Sequence, residues 1–145
     1  MKREPTLKAK PKDRAYIAGY FDGEGCIYIR KLVPGNFQLA CGVCSTNKSI
    51  LALLQMYFGG GVGKKRADKR SPNWKPLWRW QIVANQAYSF LKSIHPYLKI
   101  KRVEAELGIQ FQEAMPSSGT RLTEESLALR EAQYILMRSL KKGGQ

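Results

Sequence analysis

The sequence predicts an α+β domain in the order α-β-β-α-β-β-α with extra C-terminal helices, its four-stranded antiparallel sheet covered by helices on one face only. Two pairs of short β-prone runs predict it, each split by turn chemistry: Pro34-Gly35-Asn36 in the first pair and Ser71-Pro72-Asn73 in the second. Apolar residues at i, i+3 and i+4 mark helices before, between and after these pairs. Within the strands, alternation leaves one face fit for a core and the other polar and basic. A chain of 145 residues is long enough for one such core.

Residues 1–12 are Lys- and Pro-rich and read as a flexible basic arm, 13–140 as the domain, and 141–145 as a tail that frays. Asp13, behind Pro11, is the expected N-cap of the first helix. That helix carries Ile17, Tyr20 and Phe21 on one face and is stopped by Gly23 and Gly25. Cys26–Leu32 and Phe37–Ser45 form the first hairpin, with Ile27, Ile29, Leu39, Cys41 and Val43 inward. Thr46 or Asn47 caps a second helix through Tyr57, ended by Gly59-Gly60-Gly61. Val62–Asp68 and Leu77–Val83 are the second pair of strands. Trp78 and Trp80 share the inward face with Ile82, since burial of two large rings is favourable; stacking on unpaired bases is the rival role. Asn85 is the expected cap of a third helix, and a fourth helical pattern runs from Leu98 to Met115. After the break at Pro116-Ser117-Ser118-Gly119, Thr123 starts a last helix through Leu140.

The chain holds 25 Lys+Arg against 11 Asp+Glu, a formal net charge of +14, which points to a polyanionic partner. Nucleic acid fits better than a membrane, because the basic residues are spread along the chain rather than set on one amphipathic helix. No apolar run approaches the roughly 18 residues of a membrane span. Met1-Lys2-Arg3-Glu4-Pro5 leads into more charge and not into a signal-peptide core, so an intracellular protein acting at DNA is expected, in a bacterial or phage-infected cytoplasm or an organelle. Three cysteines, Cys26, Cys41 and Cys44, fit a reducing compartment. Cys41-x-x-Cys44 has metal-ligand spacing, but an odd offset in a strand sends the two thiols to opposite faces, and only Cys26 and the lone His95 could complete a tetrahedron.

The stretch Ile17-Ala18-Gly19-Tyr20-Phe21-Asp22-Gly23-Glu24-Gly25 organises the rest. Ala18 and Gly19 leave room for another helix to come close. Glu24 sits at a helix C-terminus, where the macrodipole is already negative; a carboxylate there suits a bound cation. These residues resemble the motif that names the LAGLIDADG homing endonucleases: Ala18, Gly19, Asp22 and Gly25 match its letters, and Ile17, Phe21, Gly23 and Glu24 are common variants. A second family-like stretch is Pro96-Tyr97-Leu98-Lys99-Ile100-Lys101, and the element order over roughly 13–140 is similar to the αββαββα fold of that family.

The resemblance implies a homodimer, since the motif occurs once, with the motif helices packed about a two-fold axis through Ile17, Ala18, Gly19, Phe21 and Asp22. It implies a double-strand break in a long, near-palindromic duplex, leaving 3′ overhangs, with Mg²⁺ or Mn²⁺ as the cofactor. By resemblance Glu24 and the Gly23 carbonyl face the metal, Asn47 orients water, and Lys101 stands beside the scissile phosphate. The DNA-reading set expected on the outer sheet face and its loops is Tyr28, Arg30, Leu32, Gln38, Ala40, Gly42, Cys44, Lys64, Arg66, Asp68, Lys69, Arg70, Arg79 and Gln81. The sequence departs from the family pattern at Glu24, where Asp is usual; at Asn47, one methylene shorter than Gln; and at Leu51, where some members carry Arg. The same face and charge suit RNA, so a maturase binding its intron RNA stays open, as do a catalytically silent DNA-binding regulator and a basic structural protein without sequence preference.

Overall fold

Helix α1 (Pro11–Glu24) leads directly into strand β1 (Gly25–Leu32), which pairs antiparallel with β2 (Asn36–Ser45). Helix α2 (Lys48–Phe58) follows, then β3 (Gly61–Lys64) and β4 (Trp78–Val83). Helix α3 (Ala84–Ile94), a 3-10 turn at His95–Tyr97, α4 (Arg102–Glu113) and α5 (Glu124–Gly143) complete the chain. This computed structural model describes residues 9–32, 35–64, 76–115 and 122–143. The expected loop sites Arg66, Asp68, Lys69 and Arg70 lie outside the described residues, as does most of the expected 62–68 strand.

The sheet is antiparallel throughout, in the order β1-β2-β4-β3, so the second hairpin joins the first through its later strand. Register stacks Ile27, Cys41 and Ile82 in one inward row and Val43, Trp80 and Val62 in another. The helices cover this face. Trp80 is fully buried and meets Phe90 edge to face, with centroids 5.2 Å apart. Phe90 also meets Phe21 at 5.1 Å and Phe58 at 4.8 Å, so one ring of α3 joins α1, α2 and β4. The Trp80 indole N–H donates to the Gly59 carbonyl at 2.8 Å, satisfying its one polar atom. Trp78 is half-buried against the same core, with the Lys48 ammonium 3.8 Å from its ring centroid.

Several expected caps are placed differently. Asp13 is the third residue of α1, and its carboxylate accepts a short hydrogen bond from the Tyr57 hydroxyl instead of capping the helix. Asn85 lies inside α3, whose N-cap is Val83; the Asn85 side chain accepts from Gln112 Nε2 at 3.1 Å and ties α3 to α4. Ala84 takes a left-handed backbone, φ 53°, which lets β4 turn into α3 with no loop between them. Helix α1 runs through Gly23 and ends only at Gly25, whose backbone is extended; a Cβ there would lie 2.1 Å from the Phe21 ring. Helix α4 begins at Arg102, not Leu98, and residues 98–101 form a non-helical approach to it. The expected tail at 141–145 is helical as far as Gly143, because α5 packs through Tyr134 on Phe37 and through Met137 in the core. Asn47 caps α2 as expected, accepting from the Ser49 N–H at 2.9 Å.

Two backbone positions test the turns. Ala84→Gly relieves the left-handed strain and is expected to raise stability by about 1 kcal/mol. Gly60→Ala, at φ 90° with a Cβ 2.6 Å from the Gln81 carbonyl, is expected to lower it by about 2 kcal/mol or more. Urea midpoints of both variants check the opposite signs. The Tyr57–Asp13 bond holds the phenol proton above its ordinary value of 10.0, first through the hydrogen bond and then through burial. A raised pKa of this kind stabilises the fold below the unfolded value and loses that contribution as pH rises toward the folded one. The stability lost in Tyr57→Phe should therefore be constant between about pH 6 and 9 and shrink above about pH 10, read from denaturation midpoints of both chains.

Candidate nucleic-acid interface and active edge

The outer face of the sheet is polar, and its side chains hold one another. The Tyr28 hydroxyl on β1 accepts from Arg79 Nη2 at 2.8 Å and from Gln81 Nε2 at 2.5 Å, both on β4. To reach them it must cross β2, where its register partner is Ala40 and where Gly42 sits opposite Gln81. Small residues on β2 make that crossing feasible. Ala40 and Gly42 are consequently buried, with Gly42 also pressed against the Trp80 carbonyl: an added Cβ would lie 3.1 Å from it. Arg30 donates a short hydrogen bond to Gln38 Oε1 across the β1–β2 pair.

Leu32 and Cys44 flank this array, one exposed at the end of β1 and one half-buried opposite Arg79. Lys64 is exposed at the end of β3, pairs in register with Trp78, and lines the same cleft as Arg30, Arg79 and Gln81. A cleft of about 710 Å³ runs over this face, lined by Arg30, Gly60, Gly63, Arg79, Gln81 and Gln86. Its glycine floor leaves backbone accessible to a bulky polyanion.

The predicted catalytic residues gather at one end of the sheet. Gly25 opens β1 opposite Val43 near the end of β2, so Glu24 at the end of α1 and Asn47 just beyond β2 share that end. Lys101 arrives from the segment before α4. Its ammonium donates to the Asp22 carbonyl of α1 at 2.7 Å, meeting a main-chain oxygen in the last turn of that helix. Glu24 is exposed there. Leu51, by contrast, is a core residue with 0% exposure and takes no part in the site.

A smaller cavity of about 230 Å³ adjoins the edge, lined by Gly25, Cys26, Ile100, Lys101, Glu104 and Lys141. Lys141 comes from the far end of α5. It donates to Cys26 Sγ at 2.9 Å and lies 5.0 Å from the Tyr28 ring centroid. Nothing in the local sequence marks it, because the length and docking of α5 decide where it lands. Cys41 is buried facing the core and Cys44 lies on the opposite face; burial pushes the Cys41 thiol well above its ordinary range.

Among the described residues no three His, Cys, Asp or Glu side chains gather as a metal site. Glu24 brings an exposed carboxylate to this edge, with main-chain oxygens of the helix end close to it in sequence, and Glu104 lines the adjoining cavity. That donor set fits a hard cation of the Mg²⁺ type, which takes one or two carboxylates and completes its shell with water and phosphate oxygens.

Of the five motif residues expected at a two-fold axis, Gly19 lies on the exposed face of α1 and the other four turn inward. Ile17, Ala18, Phe21 and Asp22 are buried within the chain, while Lys12, Ala15, Tyr16, Gly19 and Gly23 are exposed. A Cβ at Gly19 or Gly23 would meet nothing within 4 Å.

No protein-family model matches the chain, and no curated protein matches it in sequence. Solved structures do match. The homing endonuclease I-CvuI, in complex with its target in the presence of Ca, aligns at 23% identity over 89% of this chain and 82% of its own, with a TM-score of 0.70. The archaeal intron-encoded homing endonuclease I-Vdi141I, complexed with DNA, aligns at 12% identity over 88% of this chain and 83% of its own, TM-score 0.72. I-SmaMI, bound to an uncleaved DNA target with calcium ions, aligns at 19% identity over 90% of this chain, TM-score 0.59, and this chain spans 44% of its length. A LAGLIDADG meganuclease, I-AabMI bound to uncleaved DNA, is also similar, at 20% identity over 69% of this chain and 35% of its own, TM-score 0.53. The chain has the fold of the LAGLIDADG homing endonucleases.

Proposed function

We propose that the chain is a metal-dependent, site-specific DNA endonuclease of the homing type that works as a homodimer on a long, near-palindromic duplex and leaves 3′ overhangs. The observation that carries this reading is the Lys101 ammonium fixed at the C-terminal turn of α1, two residues from Glu24, at the margin of a polar, basic sheet face. Phosphodiester hydrolysis needs that combination: an acid that can hold a cation, and a separate positive charge for the charge that grows on the phosphate.

In this reading the duplex lies along the outer face of the sheet. Arg79 and Gln81, already ordered by Tyr28, have little side-chain freedom left to lose when they meet base edges. Glu24 and main-chain oxygens of the α1 end would hold Mg²⁺, which supplies neutralisation of phosphate charge and activation of the attacking water. Lys101 stabilises negative charge at the scissile phosphate. Asn47, exposed beyond β2, is the polar group placed to orient water.

Self-association is supported by the two glycines of α1. Glycine inside a helix costs about 1 kcal/mol relative to alanine, and neither Gly19 nor Gly23 is required by packing within the chain. A second copy of α1 passing close to this strip gives them a reason. Two copies then bring two Glu24 carboxylates, one for each strand.

With Mg²⁺ and a duplex recovered from a randomised pool, the unaltered chain is expected to cut at a fixed position. Glu24→Gln and Lys101→Ala should each lower the rate on the order of 100-fold while binding in Ca²⁺ persists. Full cleavage by Glu24→Gln would remove the acid from the mechanism. Recovery of intron RNA with no duplex cleavage in any metal would favour the maturase. Sedimentation of the unaltered chain is expected to give a dimer, and Gly19→Glu a monomer; a monomer in both cases would remove the two-fold arrangement.

A further inference from the structure

Asp22 is buried, with 9% of its surface exposed, and lies in the last turn of α1. A carboxylate so close to its own helix C-terminus is electrostatically misplaced unless donors surround it. They do. Its Oδ2 accepts from the Lys99 N–H at 2.9 Å, and its Oδ1 accepts from the N–H groups of Ile100 at 3.2 Å and Lys101 at 3.0 Å. Three consecutive amides converge on one side chain, and the last belongs to Lys101, the N-cap of α4. Its own carbonyl then receives the Lys101 ammonium at 2.7 Å.

One residue therefore grips Lys101 at both ends, main chain and side chain. The Leu98 N–H donates to the His95 carbonyl and the Lys101 carbonyl accepts from the Ala105 N–H, so the main chain ties this segment at its ends and leaves the amides of 99–101 to Asp22. Charge-assisted bonds to a buried carboxylate supply the constraint between those ends. Glu24 is two residues along the same helix, so the distance between acid and lysine is set through Asp22.

We propose that Asp22 is the positioning residue of the cleavage reaction: its carboxylate, clasped by the amides of Lys99, Ile100 and Lys101, holds the Lys101 ammonium in register with Glu24. This role rests on the endonuclease reading above. Asp22 touches neither substrate nor metal in it. Asparagine has nearly the same shape but one acceptor oxygen fewer, and its NH₂ would face an amide N–H, so at least one of the three bonds is lost.

The test is a double-mutant cycle on cleavage in Mg²⁺, with duplex affinity measured in Ca²⁺. Asp22→Asn is expected to slow cleavage about 10- to 100-fold, the scale of a misplacement near 1 Å, with affinity unchanged. In a Lys101→Ala background the same substitution is expected to cost nothing further. Equal, additive losses in both backgrounds would show that Asp22 acts on something other than Lys101 and overturn the role. No cleavage by the unaltered chain would remove the endonuclease reading itself, and with it this role. Normal cleavage by Asp22→Asn would overturn the role alone. Should Asp22→Asn not fold, amide hydrogen exchange of the unaltered chain decides: Lys99, Ile100 and Lys101 should exchange slowly, and fast exchange at all three contradicts the clasp.

Discussion

The C-terminal turn of α1 is the constraint on which the architecture depends. It ends the helix that packs Phe21 on Phe90, turns straight into the edge strand β1, and binds residues 99–101 through Asp22. Three structural tasks meet in four residues, Asp22 to Gly25, and two of them, Asp22 and Gly25, are enclosed by their neighbours. Gly25 shows how tight the junction is: any side chain would enter the Phe21 ring. Rigid support of this kind is what a phosphate-cleaving edge requires, because small misplacements of acid and cation are costly in rate.

The sheet shows a second economy of design. Its inward rows are large and apolar, and its inner strand β2 turns small residues outward. Ala40 and Gly42 let Tyr28 cross to Arg79 and Gln81, which joins the two hairpins by side chains as well as by the β2–β4 ladder. A polar face organised before any partner arrives lowers the ordering cost of binding. The helix side is closed by aromatic packing around Phe90, and this division leaves the outer face as the broad polar surface of the sheet.

Much of this was legible from residues alone. Alternation in β1, β2 and β4 marks the inward rows, and the spacing of apolar residues marks the α-helices among the described residues, with the start of α4 set four residues too early. Alternation puts both tryptophans of β4 on the core side; Trp80 is the largest fully buried side chain, whereas Trp78 is only half-buried. Caps were less legible. Asp13 and Asn85 have the chemistry of N-caps, yet each is engaged by a residue distant in sequence, Tyr57 and Gln112, and local rules carry no information about such partners. Small strand residues were ambiguous for the same reason: Ala40 and Gly42 read as an open surface until the crossing of Tyr28 is known. The family resemblance sets Asp22 among the interface residues of α1, and nothing local in the sequence points to the segment 77 residues onward that encloses it. Lys141 has no local signal that places it beside Cys26, because the path of α5 decides it.

The most direct measurement is a crystal structure of the chain with a bound duplex in Ca²⁺. DNA is expected along the outer sheet face, with Ca²⁺ at Glu24 and a scissile phosphate beside Lys101, still held by Asp22. A duplex lying against the helices, or a phosphate remote from both Glu24 and Lys101, would contradict it.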